Sequence, residues 1–221
     1  ETPGAALRLE GGEILDKTAI RNAATVIAIR DRMNDPHVLM GQRGKKAAFM
    51  PGKFVFPGGA VDPQDYHGLP PQDVERCEQN GTMPICSKRL AVGGSSAMAQ
   101  AILTAARREL VEETGLSLNA DAQMRFVFRA ITPPKRPRRF DARFLLCDAR
   151  DVVEDLDDFS RAEDELAYLQ WVELSAALTL DLPFITRVVL AEIDALASSN
   201  EPPRCRAILR PSGAHRPYHF D

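Results

Sequence analysis

The chain is poor in cysteine, and the four it has (Cys77, Cys86, Cys147 and Cys205) are scattered, with no Cys-x-x-Cys pair among them. That argues against a zinc centre, whose ligands come in closely spaced pairs. It also makes a reducing, cytoplasmic setting the default expectation. Cys77 and Cys86 lie near each other in sequence and could pair, but free thiols are the favoured reading. The chain also lacks any run of about 18 apolar residues, so no membrane span is expected. No charged n-region followed by an apolar h-region opens it, so no signal peptide is visible. It begins with Glu1 and not Met, so a leader upstream stays open. A strong excess of either charge is lacking too. The net charge of −3 gives no basic field of the kind that non-specific nucleic-acid binding needs. No internal repeat is found.

What remains is an ordinary globular composition, 44% hydrophobic and 27% charged over 221 residues. One domain over 1–221 is expected, with an insertion at 63–96 and a tail at 202–221. Apolar and β-branched runs predict strands at 23–30, 37–42, 54–56, 125–132 and 164–172. A short strand is expected near 6–9. Asn34-Asp35-Pro36 is a turn, and Pro57-Gly58-Gly59 is read as the end of a strand. Residues 139–147 alternate, with Phe140, Ala142, Phe144 and Leu146 on one side and Arg139, Asp141, Arg143 and Leu145 on the other. Helices are expected at 95–114, 174–178 and 184–198, and a short one at 72–80. In the first, Ile102, Ala106 and Leu110 form an apolar stripe flanked by Leu103 and Val111, and Ser95 or Ser96 caps the start. In the last, Ile185, Val188, Val189, Ala191 and Ile193 give the apolar side. The 63–96 insertion, rich in Pro and Gly, reads as a surface decoration or as a wall of an active site. The tail is expected to order by docking.

The segment Arg108-Glu109-Leu110-Val111-Glu112-Glu113-Thr114-Gly115-Leu116 carries the chemistry. Its carboxylates stand at i, i+3 and i+4, on one face of a helix that Gly115 stops. They lie against the negative end of the helix dipole. At about 6 Å apart they repel by roughly 1–3 kcal/mol at an effective dielectric of about 20–80. Two readings stay open on spacing alone. One is a hard divalent cation held by carboxylate oxygens. The other is a solvated acidic face partly neutralised by Arg107 and Arg108.

This segment resembles the second half of the Nudix box, Arg-Glu-apolar-x-Glu-Glu-x-Gly-apolar, at every specified position. Phe54-Val55-Phe56-Pro57-Gly58-Gly59-Ala60-Val61-Asp62 looks like the strand and glycine turn that precede that box. The first Glu of the box has no clear counterpart. Counting back from Arg108 reaches Gln100, and counting forward from Gly59 reaches Asp65, too early to join the helix. The resemblance covers about residues 20–198 and implies an α/β/α sandwich with a mixed sheet. It implies Mg²⁺ or Mn²⁺ held by Glu109, Glu112 and Glu113, with Gly59 letting backbone approach the metal or phosphate. Arg108 would pair with an acid of the box. A further acid from outside it would act as ligand or general base. Glu165 is preferred, Glu163 comes next and Asp164 is a third candidate, against the plainer reading of a solvated acidic turn.

By the same resemblance the chain hydrolyses a phosphoanhydride in a nucleoside diphosphate derivative. The basic run Lys135, Arg136, Arg138, Arg139 and the following Phe140-Asp141-Ala142-Arg143-Phe144 are similar to the branch related to coenzyme A diphosphatases. Arg43, Arg139 and Arg143 are therefore candidates for holding substrate phosphates, since Arg grips them bidentately; a solvated loop is the alternative. Coenzyme A derivatives, ADP-ribose and nucleotide sugars are the candidate substrates. Tyr168 is a candidate to stack on a base, while Phe140 and Trp171 read as core. The rival is a catalytically impaired Nudix-fold nucleotide-binding or regulatory module, motivated by Gln100. An RNA-end hydrolase using the basic loop is a third possibility. The resemblance also suggests a homodimer.

Overall fold

The computed structural model describes residues 19–67 (apart from 46, 48 and 49), 96–198 and 208–209. Strands β1 (Ile20–Arg30) and β2 (His37–Arg43) form the expected hairpin, joined antiparallel through Ile29↔Val38. Then come β3 (Phe54–Val55), β4 (Gly58–Ala60) and a 3₁₀ turn at Pro63–His67. Helix α1 (Ser96–Thr114) is followed by β5 (Arg125–Ile131), β6 (Arg139–Asp148) and β7 (Leu166–Glu173). Helices α2 (Leu174–Ala177) and α3 (Phe184–Ser198) and a two-residue strand β8 (Ile208–Leu209) complete the described elements.

The strands form one mixed sheet in the order β3-β2-β1-β6-β5-β8, with β4 on β1 and β7 on β2. β1 and β6 run parallel, as do β5 and β8; the other pairs are antiparallel. Alternation along β1 assigns its two faces. Ala24, Val26 and Ala28 pack with Ala99, Ile102, Leu103, Ala106 and Leu110 of α1. Ile27 and Ile29 pack with Val189, Leu190 and Ile193 of α3. Helices thus cover both faces, giving the expected α/β/α sandwich with a mixed sheet. Burial on both sides explains why the strands read as near-continuous apolar runs. Among the described residues no helix is long and apolar enough to cross a membrane.

Several expectations change. The strand at 54–56 does end before Pro57, as β3, but Gly58-Gly59-Ala60 then forms a strand of its own, paired with β1 through Ala24↔Gly59. Val111 is exposed and lies outside the buried Ile102–Ala106–Leu110 line. In α3 the buried line runs Thr186, Val189, Leu190, Ile193, and Ala191 faces out. Part of the tail docks as β8 against β5. Strand β7 begins at Leu166, so Asp164 and Glu165 precede it. The expected strand at 6–9, the helix at 72–80, Cys77, Cys86, Cys205, Ser95 and nearly all of the insertion lie outside the described residues.

Candidate active site

The last two turns of α1 face β4, and this contact builds the site. Helix α1 is closed by the Gly115 amide, which donates to Val111 O at 2.8 Å. Opposite the helix, Gly58 lies at φ +151°, and a Cβ there would meet Ala24 O at 2.4 Å. Only glycine lets β4 lie this close to β1. At Gly59 the crowding comes from the helix instead. A Cβ would sit 2.3 Å from Glu109 Oε1 and 2.5 Å from its Cδ. The Glu109 carboxylate thus lies directly on the Gly59 backbone. Gly59→Ala is expected to displace Glu109 and lower kcat by about tenfold to a hundredfold, the penalty of a misplacement near 1 Å. Circular dichroism should remain native, and an unchanged kcat would show that Glu109 does not need that position.

Glu113 is buried, and its Oε2 accepts the Gly58 amide at 2.6 Å. Its Oε1 is buried with no partner. Burial pushes the Glu113 carboxyl up to about 8; the Gly58 hydrogen bond opposes this, and the nearby charges of Glu109 and Glu165 add to it. Burial also raises Glu109, partly offset by Arg108. Two carboxylates whose ionised forms are disfavoured in this way suit a site that receives a cation.

Arg108 organises the cluster. Its Nε and Nη2 donate to Asp65 Oδ1 and Oδ2, both at 3.0 Å. Its Nη1 reaches Glu109 Oε1 at 2.9 Å and Glu112 Oε2 at 2.8 Å, and Nη2 also reaches Ala60 O at 3.1 Å. These bonds, that to Asp65 foremost, hold the guanidinium proton far more tightly than usual. Asp65 is 1% exposed and its Oδ2 accepts the Asp62 amide at 2.7 Å. The acid missing from the helix therefore comes from the 3₁₀ turn after β4. Gln100 is not its substitute. It sits two turns before Arg108 on α1, where its carbonyl accepts from Thr104 Oγ1 at 3.1 Å. The signal was the Gly59-to-Asp65 spacing, which keeps the upstream half of the box intact; the inserted residues begin after the acid.

The loop before β7 lies beside the same cluster. The Glu163 amide donates to Glu112 O at 2.8 Å, tying the loop to α1. Glu165 pairs with Arg43 at the end of β2. Glu165 is near enough to Glu109 and Glu113 to raise both carboxyls. Asp164 is exposed. The structure therefore brings together Gly59, Arg108, Glu109, Glu112, Glu113, Glu165 and Arg43.

Arg139 and Arg143 stand elsewhere. Arg139 Nε donates to Thr132 O at 3.2 Å, across the start of the β5–β6 hairpin. Arg143 is 2% exposed and donates to Asn22 Oδ1 at 2.6 Å and Asp141 O at 2.8 Å. Asp141 is also gripped in bidentate fashion by Arg129. Burial lowers Arg143 to about 10, against the pull of Asp141. As placed, Arg143 ties β6 to β1 and does not face solvent, which corrects its expected role as a phosphate clamp. The strand's apparently polar face is covered by protein, and sequence alternation alone does not show that. Trp171 is structural, as expected. Arg30 lies over its ring at 5.1 Å and its Nε1 donates to Leu156 O at 2.8 Å. Tyr168 is exposed, at φ +51° in the irregular stretch of β7 opposite Gly41.

As they stand, no three acidic, His or Cys side chains among the described residues form a ready ligand shell. Arg108 Nη1 now takes one oxygen each of Glu109 and Glu112. The donor set nonetheless fits a hard cation: every donor is a carboxylate oxygen, and Glu113 Oε1 is orphaned.

A family model described as the NUDIX domain matches residues 81–193. Among solved structures, the chain is similar to a NUDIX hydrolase from Alicyclobacillus acidocaldarius. The two share 27% identity over 81% of this chain and 93% of that one, with a TM-score of 0.60. It shares its fold with a MutT protein from Methanosarcina mazei Go1, at 16% identity over 82% of this chain and 98% of that one, with a TM-score of 0.51. No curated protein sequence matches.

Proposed function

This chain belongs to the Nudix hydrolase family, and on that premise we propose that it cleaves a phosphoanhydride bond in a nucleoside diphosphate derivative, aided by Mg²⁺ or Mn²⁺. The supporting observation is the Glu109–Glu112–Glu113 face set against Gly58 and Gly59 and braced by Arg108 on Asp65. Glu109, Glu112 and Glu113 would hold the cation, which supplies charge neutralisation for the diphosphate and activates a water. Gly59 leaves room beside Glu109 where any other residue would crowd the carboxylate. Arg108 holds Glu109 and Glu112 together through its Nη1. Glu165 is the candidate to take a proton from the attacking water, since it lies near Glu109 and Glu113 and is more exposed than either. Arg43 is the candidate phosphate contact, and Arg139, partly buried at the head of β6, a weaker one.

Coenzyme A derivatives, ADP-ribose and nucleotide sugars are the candidate substrates. The rival reading of an impaired nucleotide-binding module drew on Gln100, and Asp65 beside Arg108 removes that motive. A cytoplasmic location and a homodimer complete the proposal. The test is a panel of these nucleotide derivatives incubated with Mg²⁺ or Mn²⁺, with products identified by mass. A nucleotide with a single phosphate left at its 5′ position and a phosphorylated remainder are expected from at least one compound. Failure of every compound with both metals would overturn the reading.

A further inference from the structure

Arg43 and Glu165 are joined by more than chance proximity. Arg43 ends β2, and its partner across the ladder is Leu166, the residue after Glu165. The Arg43 backbone is fixed on its other side, its amide donating to Lys53 O at 2.9 Å and its carbonyl accepting Gly52 N at 3.0 Å. Its side chain is only 17% exposed, against 55% for Glu165. Its Nε is buried and has no partner. The arginine is therefore the fixed member of the pair, with unused donor capacity, and the glutamate is the movable one. The charge of Arg43 also acts on Glu113, and that of Glu165 on both Glu109 and Glu113. Arg108 serves Glu109 and Glu112, so Arg43 is the cation beside Glu165 and Glu113.

A partly exposed pair of this kind is weak. A diphosphate offers the same guanidinium more charge and a matching planar fork of acceptors. We propose that Arg43 is an exchangeable counter-ion: it holds Glu165 before substrate binds, then passes to a phosphate oxygen of the incoming diphosphate and leaves Glu165 free beside Glu109 and Glu113. This rests on the hydrolase reading, and it adds the order of events: Glu165 is released by the substrate itself. Arg43 and Glu165 act as a coupled pair and not as two independent contacts.

The test is a double-mutant cycle on the binding of α,β-methylene-ADP, a nucleoside diphosphate without a cleavable bridge, measured by calorimetry in excess Mg²⁺. Glu165→Gln releases Arg43 and is expected to tighten binding by about two- to fivefold, the most that loss of a partly exposed pair can return. Arg43→Gln should weaken binding by a similar factor. In the Arg43→Gln background, Glu165→Gln should no longer matter. Arg43→Lys, which keeps charge but loses the fork, is the second variant should Arg43→Gln fail to fold; it should show the same sign with a smaller effect. Equal tightening by Glu165→Gln in both backgrounds would mean plain charge repulsion and overturn the exchange. So would no tightening at all, or no binding of the probe to the wild type. The two proposals fail separately. Cleavage of the substrate panel with an additive cycle removes the exchange only; a coupled cycle without cleavage of any compound removes the hydrolase reading only.

Discussion

Glu112→Gln is expected to lower kcat by about 10²- to 10³-fold, the loss that follows when one preorganised charged group is taken from a reaction centre. The structure makes this a clean measurement. Glu112 is 40% exposed at its side chain and bonds Arg108 Nη1 at 2.8 Å, one helical turn back. An exposed pair of that kind contributes about 0–1 kcal/mol to folding. For a chain of this size that moves Tm by no more than about 2–4 °C. A large kcat loss in a protein that melts almost normally would then be a loss of chemistry. Glu113→Gln cannot give so clear an answer, since Glu113 is buried and takes the Gly58 amide. The same variant separates the two function classes. An enzyme loses rate but keeps affinity for α,β-methylene-ADP within a modest factor. A nucleotide sensor has no rate to lose. Unchanged turnover in Glu112→Gln would remove Glu112 from the machinery.

Much of the fold is legible in the sequence. Period-3.6 apolar spacing located α1 to within a residue, and Ile102, Ala106 and Leu110 are its buried stripe. The i, i+3, i+4 acids followed from that helix without further assumption. Alternation in β6 correctly split Phe144 and Leu146 from Leu145. What sequence did not reveal depends on contacts between distant segments. A three-residue strand of two glycines and an alanine has no propensity signal. Gly58–Ala60 is a strand only because β1 offers a ladder to it. Arg143 and Asp141 read as a solvent face because charge is normally outside. They are buried because Arg129, Asp141, Arg143 and Asn22 bond one another, with only the Arg143 Nε left over within the group. Asp65 was visible at the right distance from Gly59, but the order of chain and insertion hid that it returns to the helix in space.

That return is what the final prediction probes. Asp65→Ala removes both acceptors of Arg108 Nε and Nη2 and the acceptor of the Asp62 amide. Breaking a fully buried pair costs roughly 3–5 kcal/mol. Arg108 keeps Glu109, Glu112 and Ala60 O and is partly exposed. A cost of about 2–3 kcal/mol is therefore expected, or a fall in Tm of about 4–12 °C. Activity should fall further than stability predicts. With Asp65 gone the guanidinium is anchored by Glu109, Glu112, one carbonyl and a long contact to Asp62, so it competes harder with a cation for the same oxygens. The expected signature is a raised Mg²⁺ requirement at temperatures where the variant is still folded. Asp65→Asn keeps one acceptor and should fall between Asp65→Ala and the wild type in both measurements. Gln100→Ala is the control. If Gln100 supplied the missing acid's role, its loss would match that of Asp65; with Asp65 gripping Arg108, Gln100→Ala should leave melting and metal dependence close to wild type. Melting curves and Mg²⁺ titrations on the three variants decide it. Equal damage from Gln100→Ala would mean that the brace of the acidic helix has been assigned to the wrong residue.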